Sequence, residues 1–219
     1  MANLNVHRSK LILGDGMIIR QVEKQELSVV DSIVAIHLET FKGFFLTFMG
    51  RGFLRQMYSA YTTHDKSGLL VAFEQDQPVG FLAYSGDMSG LYKHMIKTRL
   101  IPFAWYSIGA FFRKPKVFVR LIRAFLKPAE AKRNEDYIEL SSIGVKPDVK
   151  AKGIGTGLIN ELKKDFDSEK YAYIALETDA VNNDTVNRFY ERNGFKLIRE
   201  YETPEGRKMN EYRFEKETK

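Results

Sequence analysis

Cysteine is absent from all 219 residues. That removes a thiol nucleophile, a cysteine-ligated zinc and an iron–sulfur cluster together, and it fits a reducing compartment, so the cytoplasm is the expected location. Long apolar runs are also missing. The longest strongly hydrophobic uncharged stretch, Leu100 to Phe112, has thirteen residues, short of the roughly 20 that cross a bilayer. The first sixteen residues carry charges and no secretory apolar core. The four histidines (His7, His37, His64, His94) lack metal-ligand spacing, and neither His-Glu-x-x-His nor Gly-x-Ser-x-Gly occurs, so no metal is expected. Nor is there an internal repeat or a low-complexity tract.

Acid is lacking in one segment. Met88 to Pro128 holds nine Lys and Arg and no Asp or Glu, leaving twenty-five bases against twenty-eight acids elsewhere. The formal charge of +6 therefore belongs to that segment, and nucleic-acid binding by the whole chain is not expected. With 44% hydrophobic and 28% charged residues, the composition excludes a disordered or collagen-like chain and fits one globular domain.

The apolar pattern gives the order of elements. Met17 to Val22 reads as a strand, and Val29, Val30, Ile33, Val34 and Leu38 recur as on a helix. A Phe-rich stretch, Phe41 to Tyr61, turns helical from about Gly52. Gly68 to Phe73 and Val79 to Tyr84 form a hairpin across Glu74-Gln75-Asp76-Gln77-Pro78. Strands follow at Tyr137 to Val145 and Tyr171 to Thr178, separated by a helical pattern from Ile154 to Phe166. A short helix, Asn183 to Asn193, stops at Gly194 as a left-handed cap. Phe195 to Tyr201 and Met209 to Phe214 close the chain as strands. The sum is an α/β or α+β fold with a sheet of mixed direction.

The stretch richest in chemistry runs from Ile143-Gly144-Val145 through Lys150-Ala151-Lys152-Gly153-Ile154-Gly155-Thr156. Glycines at a helix start let successive backbone N–H groups face an anion, helped by the helix dipole. A Walker loop needs Gly-x-x-x-x-Gly-Lys-Ser/Thr, which is absent. A dinucleotide fingerprint needs a tight turn directly off the strand, whereas seven residues separate Val145 from Gly153. What is left is a pyrophosphate reached by a strand, a loop and a helix.

These residues resemble the GNAT superfamily of acyl-CoA-dependent N-acetyltransferases. The family's Arg/Gln-x-x-Gly-x-Gly/Ala signature is met by Lys150-x-x-Gly153-x-Gly155 after Ile143-Gly144-Val145, with lysine as a cationic substitute. A second pattern, Asn-x6-Tyr-x3-Gly-Phe, is met by Asn183, Tyr190, Gly194 and Phe195. The match is close over Tyr137 to Phe195 and loose over Gly68 to Tyr84. The resemblance implies a mostly antiparallel twisted sheet flanked by helices, with acetyl-CoA as co-substrate. Ile143, Gly144 and Val145 would offer backbone groups to the pantetheine and the thioester carbonyl. Lys150, Ala151, Lys152, Gly153, Ile154, Gly155 and Thr156 would hold the pyrophosphate, and Asn183 the pantetheine arm. Glu139 would be the general base and Tyr190 the proton donor to sulfur. Simpler roles stay open: Glu139 as a wet-face strand residue, Tyr190 as packing beside Phe189, Asn183 as a helix cap, the glycines as a plain helix start.

Residues 88–134 have no place in the minimal family pattern and read as a helical insertion within a single domain, 1–219. Val117 to Lys127 is amphipathic, and the aromatic stretch Leu100 to Phe112 before it is expected to be buried. Its contact would be the sheet, a homodimer partner, a lid over the acceptor or an anionic membrane surface. The expected activity is acetyl transfer from acetyl-CoA to the primary amine of a small molecule. Direct attack is expected because the chain has no cysteine to carry an acyl group. A non-catalytic acyl-CoA-binding or interaction protein is one rival, and a membrane-surface-associated acetyltransferase of an amino sugar or protein amine is another. A basic membrane-surface or nucleic-acid module, resting on the insertion alone, is a third.

Overall fold

A computed structural model describes residues 11–13, 16–113, 115, 118, 119, 135–149, 153–204 and 206–216. The chain runs β1 (Leu11–Leu13), β2 (Met17–Gln21), α1 (Leu27–Thr40), α2 (Phe45–Met49), α3 (Arg51–Tyr61), β3 (Ser67–Glu74) and β4 (Gln77–Ser85). It continues α4 (Met88–Arg113), β5 (Ile138–Val145), α5 (Ile154–Lys164), β6 (Ile174–Asp179), α6 (Asp184–Arg192), β7 (Lys196–Glu202) and β8 (Lys208–Phe214). Among the described residues the strands form one sheet in the order β1-β2-β3-β4-β5-β6-β8-β7. Every neighbouring pair is antiparallel except β5 and β6. The expected mixed α/β fold is present.

The β3–β4 hairpin closes more tightly than its composition implied. Gln75 and Asp76 alone make the turn, both at positive φ (49° and 60°), the handedness that suits the twist of a two-residue hairpin. Gln77 and Pro78 join the strand, with a register shift opposite Ala72 and Phe73. Proline, lacking an N–H, is tolerated at such an irregular strand start. Gly194, at φ 75°, stops α6 as expected. The strand foreseen from Tyr171 starts only at Ile174, and β1 had no counterpart in the apolar pattern.

Two apolar layers clasp the sheet. On one face α5 and Tyr190 of α6 pack on Leu82, Ile138, Leu140, Ile174 and Leu176. The opposite face carries α1, α3 and the start of α4 over Leu69, Val71, Phe81 and Ala83. Ile33 and Leu54 there are fully buried, each such side chain contributing about 1.5–3 kcal/mol.

The aromatic stretch is only partly buried by its own chain. α4 kinks at Arg99 (φ −137°), just before Pro102. Beyond the kink one side packs on α2 and α3, where Phe103 meets Phe53 at 4.8 Å between ring centres and Ala110 joins Met49 and Phe53, while Phe111 meets Phe118 at 5.7 Å. Leu100, Ile101, Trp105, Ile108 and Phe112 are exposed, because a single helix laid on α2 and α3 can bury one stripe only. The amphipathic segment Val117 to Lys127 lies outside the described residues, except for Phe118 and Val119, which are helical.

Candidate active site

The parallel pair β5–β6 is held by two register partners only, Ile138↔Ile174 and Glu139↔Ala175. From Leu140 onward β5 stays paired to β4 while β6 turns to β8. A cleft opens between the two strands. The Lys146 N–H bonds Val79 of the β4 side at 2.9 Å. By the period-two alternation of a strand, Val145 and Ile143 then direct their N–H and C=O groups to the edge away from β4, where the Val145 C=O accepts from Thr40 Oγ1 at 3.3 Å. Gly144, grouped with them on sequence grounds, turns its backbone toward β4 instead. A Cβ there would lie 2.9 Å from Phe81 and 3.3 Å from Phe41, so close packing explains this glycine.

A bulge decides which side chains face which layer. Ala83 pairs Ser142 but Tyr84 pairs Leu140, leaving Ser141 as an extra residue on β5. Before the bulge, Ile138 and Leu140 belong to the α5 layer; after it, Ile143 and Val145 do. Glu139, Ser142 and Gly144 consequently all face the α1–α3 layer. Glu177 on β6 shares that face, since Ile174 and Leu176 point the other way. Two carboxylates thus lie on one face of the sheet, one on each arm of the splay.

Tyrosines surround them. The Tyr137 hydroxyl donates to Glu139 Oε2 at 3.5 Å. Burial pushes the Tyr92 phenol well above its usual range, and Tyr61, Glu139, Tyr137 and Glu177 add to the shift. Tyr61 is raised likewise by burial, opposed by its bond to Ser141, whose Oγ also approaches Met88 Sδ at 3.5 Å. Tyr58, fully buried, bonds His37 Nδ1 at 2.7 Å and donates to Ser142 Oγ at 3.5 Å. Desolvation lowers His37 to about 4, so it is neutral at pH 7. Sequence reading placed Tyr58 and Tyr61 in a helical stretch without a chemical role and missed Tyr92, Glu177 and the serines. Their spacing carries no motif, and only the fold gathers them.

The other side of the cleft is built from backbone. Gly153 precedes α5 at φ 68°, a left-handed conformation that glycine alone adopts freely. The first helical bond runs from Gly157 N–H to Gly153 C=O at 2.8 Å. The N–H groups of Ile154, Gly155 and Thr156 therefore have no partner within the helix, at its positive end. At Gly155 a Cβ would stand 3.0 Å from the Phe189 ring of α6. Lys150, Ala151 and Lys152 lie outside the described residues.

Asn183 sits at the N-cap position of α6 but makes no side-chain cap bond. Its Nδ2 donates instead to Thr178 Oγ1 at 2.8 Å and to the Asp179 carbonyl at 3.0 Å, tying α6 to the end of β6. Tyr190 is buried, with ring centres 5.4 Å from Phe189, 6.0 Å from Phe195 and 6.1 Å from Tyr212. Burial raises its pKa, so the hydroxyl keeps its proton. Among the described residues no group of three or more His, Asp or Glu is arranged to hold a metal.

A splayed strand pair beside a helix start with open N–H groups defines the acyl-CoA transferase class. The chain belongs to the Acetyltransferase (GNAT) family, whose profile matches residues 32–195, and is an acetyl-CoA-dependent N-acetyltransferase. Similar folds occur in a GNAT acetyltransferase of Desulfovibrio desulfuricans (18% identity, 91% of this chain and 98% of that one, TM-score 0.57). A Drosophila melanogaster polyamine N-acetyltransferase that forms N-acetylagmatine is also similar (12%, 91% and 99%, 0.55). So is Arabidopsis thaliana NAA60, solved with acetyl-CoA (14%, 91% and 98%, 0.54). No curated protein sequence matches the chain significantly.

Proposed function

We propose that this enzyme acetylates the primary amine of a small, cationic molecule, and that residues 1–219 form one domain in which 88–134 is an insertion. The observation that carries the acceptor class is the pair Glu139 and Glu177 on one sheet face, both near enough to Tyr92 to help raise its phenol. Carboxylates with phenol rings attract an ammonium group. Acetyl-CoA, when bound, supplies an acetyl group activated as a thioester.

The chain's own residues do the rest. The N–H groups of Ile154, Gly155 and Thr156 hold phosphate oxygens, joined by Lys150, Ala151 and Lys152. Gly153 allows the turn, and Asn183 steadies the arm of the co-substrate. The backbone groups of Ile143 and the N–H of Val145 pair with that arm and polarise the carbonyl. Glu139 takes a proton from the acceptor ammonium, freeing the nitrogen lone pair to form the C–N bond. Tyr190 gives its proton to the sulfur as the C–S bond breaks; the nitrogen sheds its second proton to solvent as the amide forms, Tyr190 is reprotonated from solvent, and Glu139 releases the proton it took.

The test is acetylation of a panel of polyamines, amino sugars and neutral amines by wild type, Glu139→Gln and Tyr190→Phe. Loss of about 10²–10⁴-fold in kcat for each variant, with acetyl-CoA affinity retained, is expected. Undiminished rates in both variants would remove these roles. Preference for neutral over cationic amines would overturn the acceptor class.

A further inference from the structure

We infer that the outward face of α4 beyond its kink docks on the surface of an anionic lipid bilayer. Ile101, Trp105, Ile108 and Phe112 follow one another at helical spacing of four, three and four residues, and so form a single stripe. They are 81%, 70%, 47% and 77% exposed. The opposite side of the helix is the packed one, through Phe103 and Ala110. The stripe is therefore turned away from α2 and α3, with Ile108 and Phe112 at the edge of an apolar cleft shared with Phe118.

Charge selects the occupant. Residues 40–64, which hold α2 and α3, contain Lys42, Arg51 and Arg55 and no acid; residues 88–128 contain nine bases and no acid. Of these bases Arg55 is paired with Asp31, at 2.7 Å. Outside the two segments twenty-two bases face twenty-eight acids. Among the described residues the layer of α1 to α4 carries Lys42, Arg51, Arg55, Lys93, Lys97 and Arg99 against Asp31 and Glu39, so the layer with the apolar stripe is net basic. A second copy docked through the same face would bring two basic layers together, which like-charge repulsion opposes. A nucleic acid would satisfy the charge and leave Ile101, Ile108 and Phe112 without an apolar phase. An anionic bilayer satisfies both, with Trp105 at the headgroup level where indole is favoured. Among the described residues no helix is long and apolar enough to cross a membrane, so the helix lies on the surface.

The chain contains one tryptophan, and it stands in this stripe. Its fluorescence reports the contact directly, whatever the acceptor amine turns out to be. The full chain is titrated with vesicles of phosphatidylcholine containing phosphatidylglycerol, and with phosphatidylcholine alone, at low and high salt. Expected is a blue shift with the anionic vesicles only, reversed by salt. Quenching by lipids brominated in the upper acyl chain should accompany it. Lys97→Gln should weaken vesicle affinity roughly fivefold. Ile101→Ser/Ile108→Ser should abolish the shift while leaving the circular dichroism spectrum and acetyl-CoA binding intact.

Three results overturn the inference. Emission already blue in dilute lipid-free protein means that the chain covers its own stripe. A blue shift that grows with protein concentration without lipid, together with a dimer in sedimentation, assigns the face to a second copy. Red emission with every vesicle leaves the face unoccupied by lipid.

Discussion

The two halves of the cleft are made of different material. Toward α5 the groups that line it are backbone: N–H groups at a helix start and the edge of β5 that faces away from β4. Toward α3 and α4 they are side chains drawn from β5, β6 and the helices, namely Glu139, Glu177, Tyr61 and Tyr92. Backbone chemistry constrains a sequence through glycine and spacing, whereas side-chain chemistry can be assembled from scattered positions. The first half can keep one co-substrate while the second changes acceptor.

Charge placed in the backbone half should break it most severely. Gly155→Asp sets a carboxylate among the α5 N–H groups and should weaken acetyl-CoA binding on the order of a thousandfold by calorimetry. Gly155→Ala crowds Phe189 with no charge and should retain most of the affinity. A result in which both variants bind equally poorly would mean that packing, not anion binding, explains this glycine.

The side-chain half should respond to pH instead. His37 is lowered from 6.5 to about 4 by burial, so between these values the unfolded chain takes up the proton that the folded chain refuses. Stability is complete above pH 6.5 and falls as pH drops toward 4, by about 3 kcal/mol from this group. Urea unfolding across that range should reveal the slope, and His37→Phe should flatten it. The smallest effect is at the rim. Asp31→Asn breaks a half-exposed pair with Arg55 and should cost no more than about 1 kcal/mol in the same assay.

The same division explains how much was legible beforehand. Gly153 and Gly155 stood out because a left-handed cap and a close ring contact admit little else, and Asn183 and Tyr190 followed at a fixed spacing. The strand order was less accessible. Insertion of β8 between β6 and β7 is a long-range choice that no local pattern encodes. Gly144 was misjudged in its backbone direction because alternation could not be phased without the Lys146 bond to Val79. Glu177 escaped notice as one acid among twenty-eight. The partner of Leu100 to Phe112 was not legible, since apolar composition says that a surface needs a partner, not which one provides it.

The extra residue at Ser141 has a consequence for how such a chain can change over generations. A strand alternates strictly, so losing one residue there would exchange inward for outward at every position on one side of the gap. Ile143 and Val145 would trade places with Ser142 and Gly144, or Glu139 with Leu140. No series of single substitutions passes smoothly between those two phases. Length at this point is therefore under tighter constraint than identity, and related chains should differ in the residue that occupies the bulge far more often than in whether it is there.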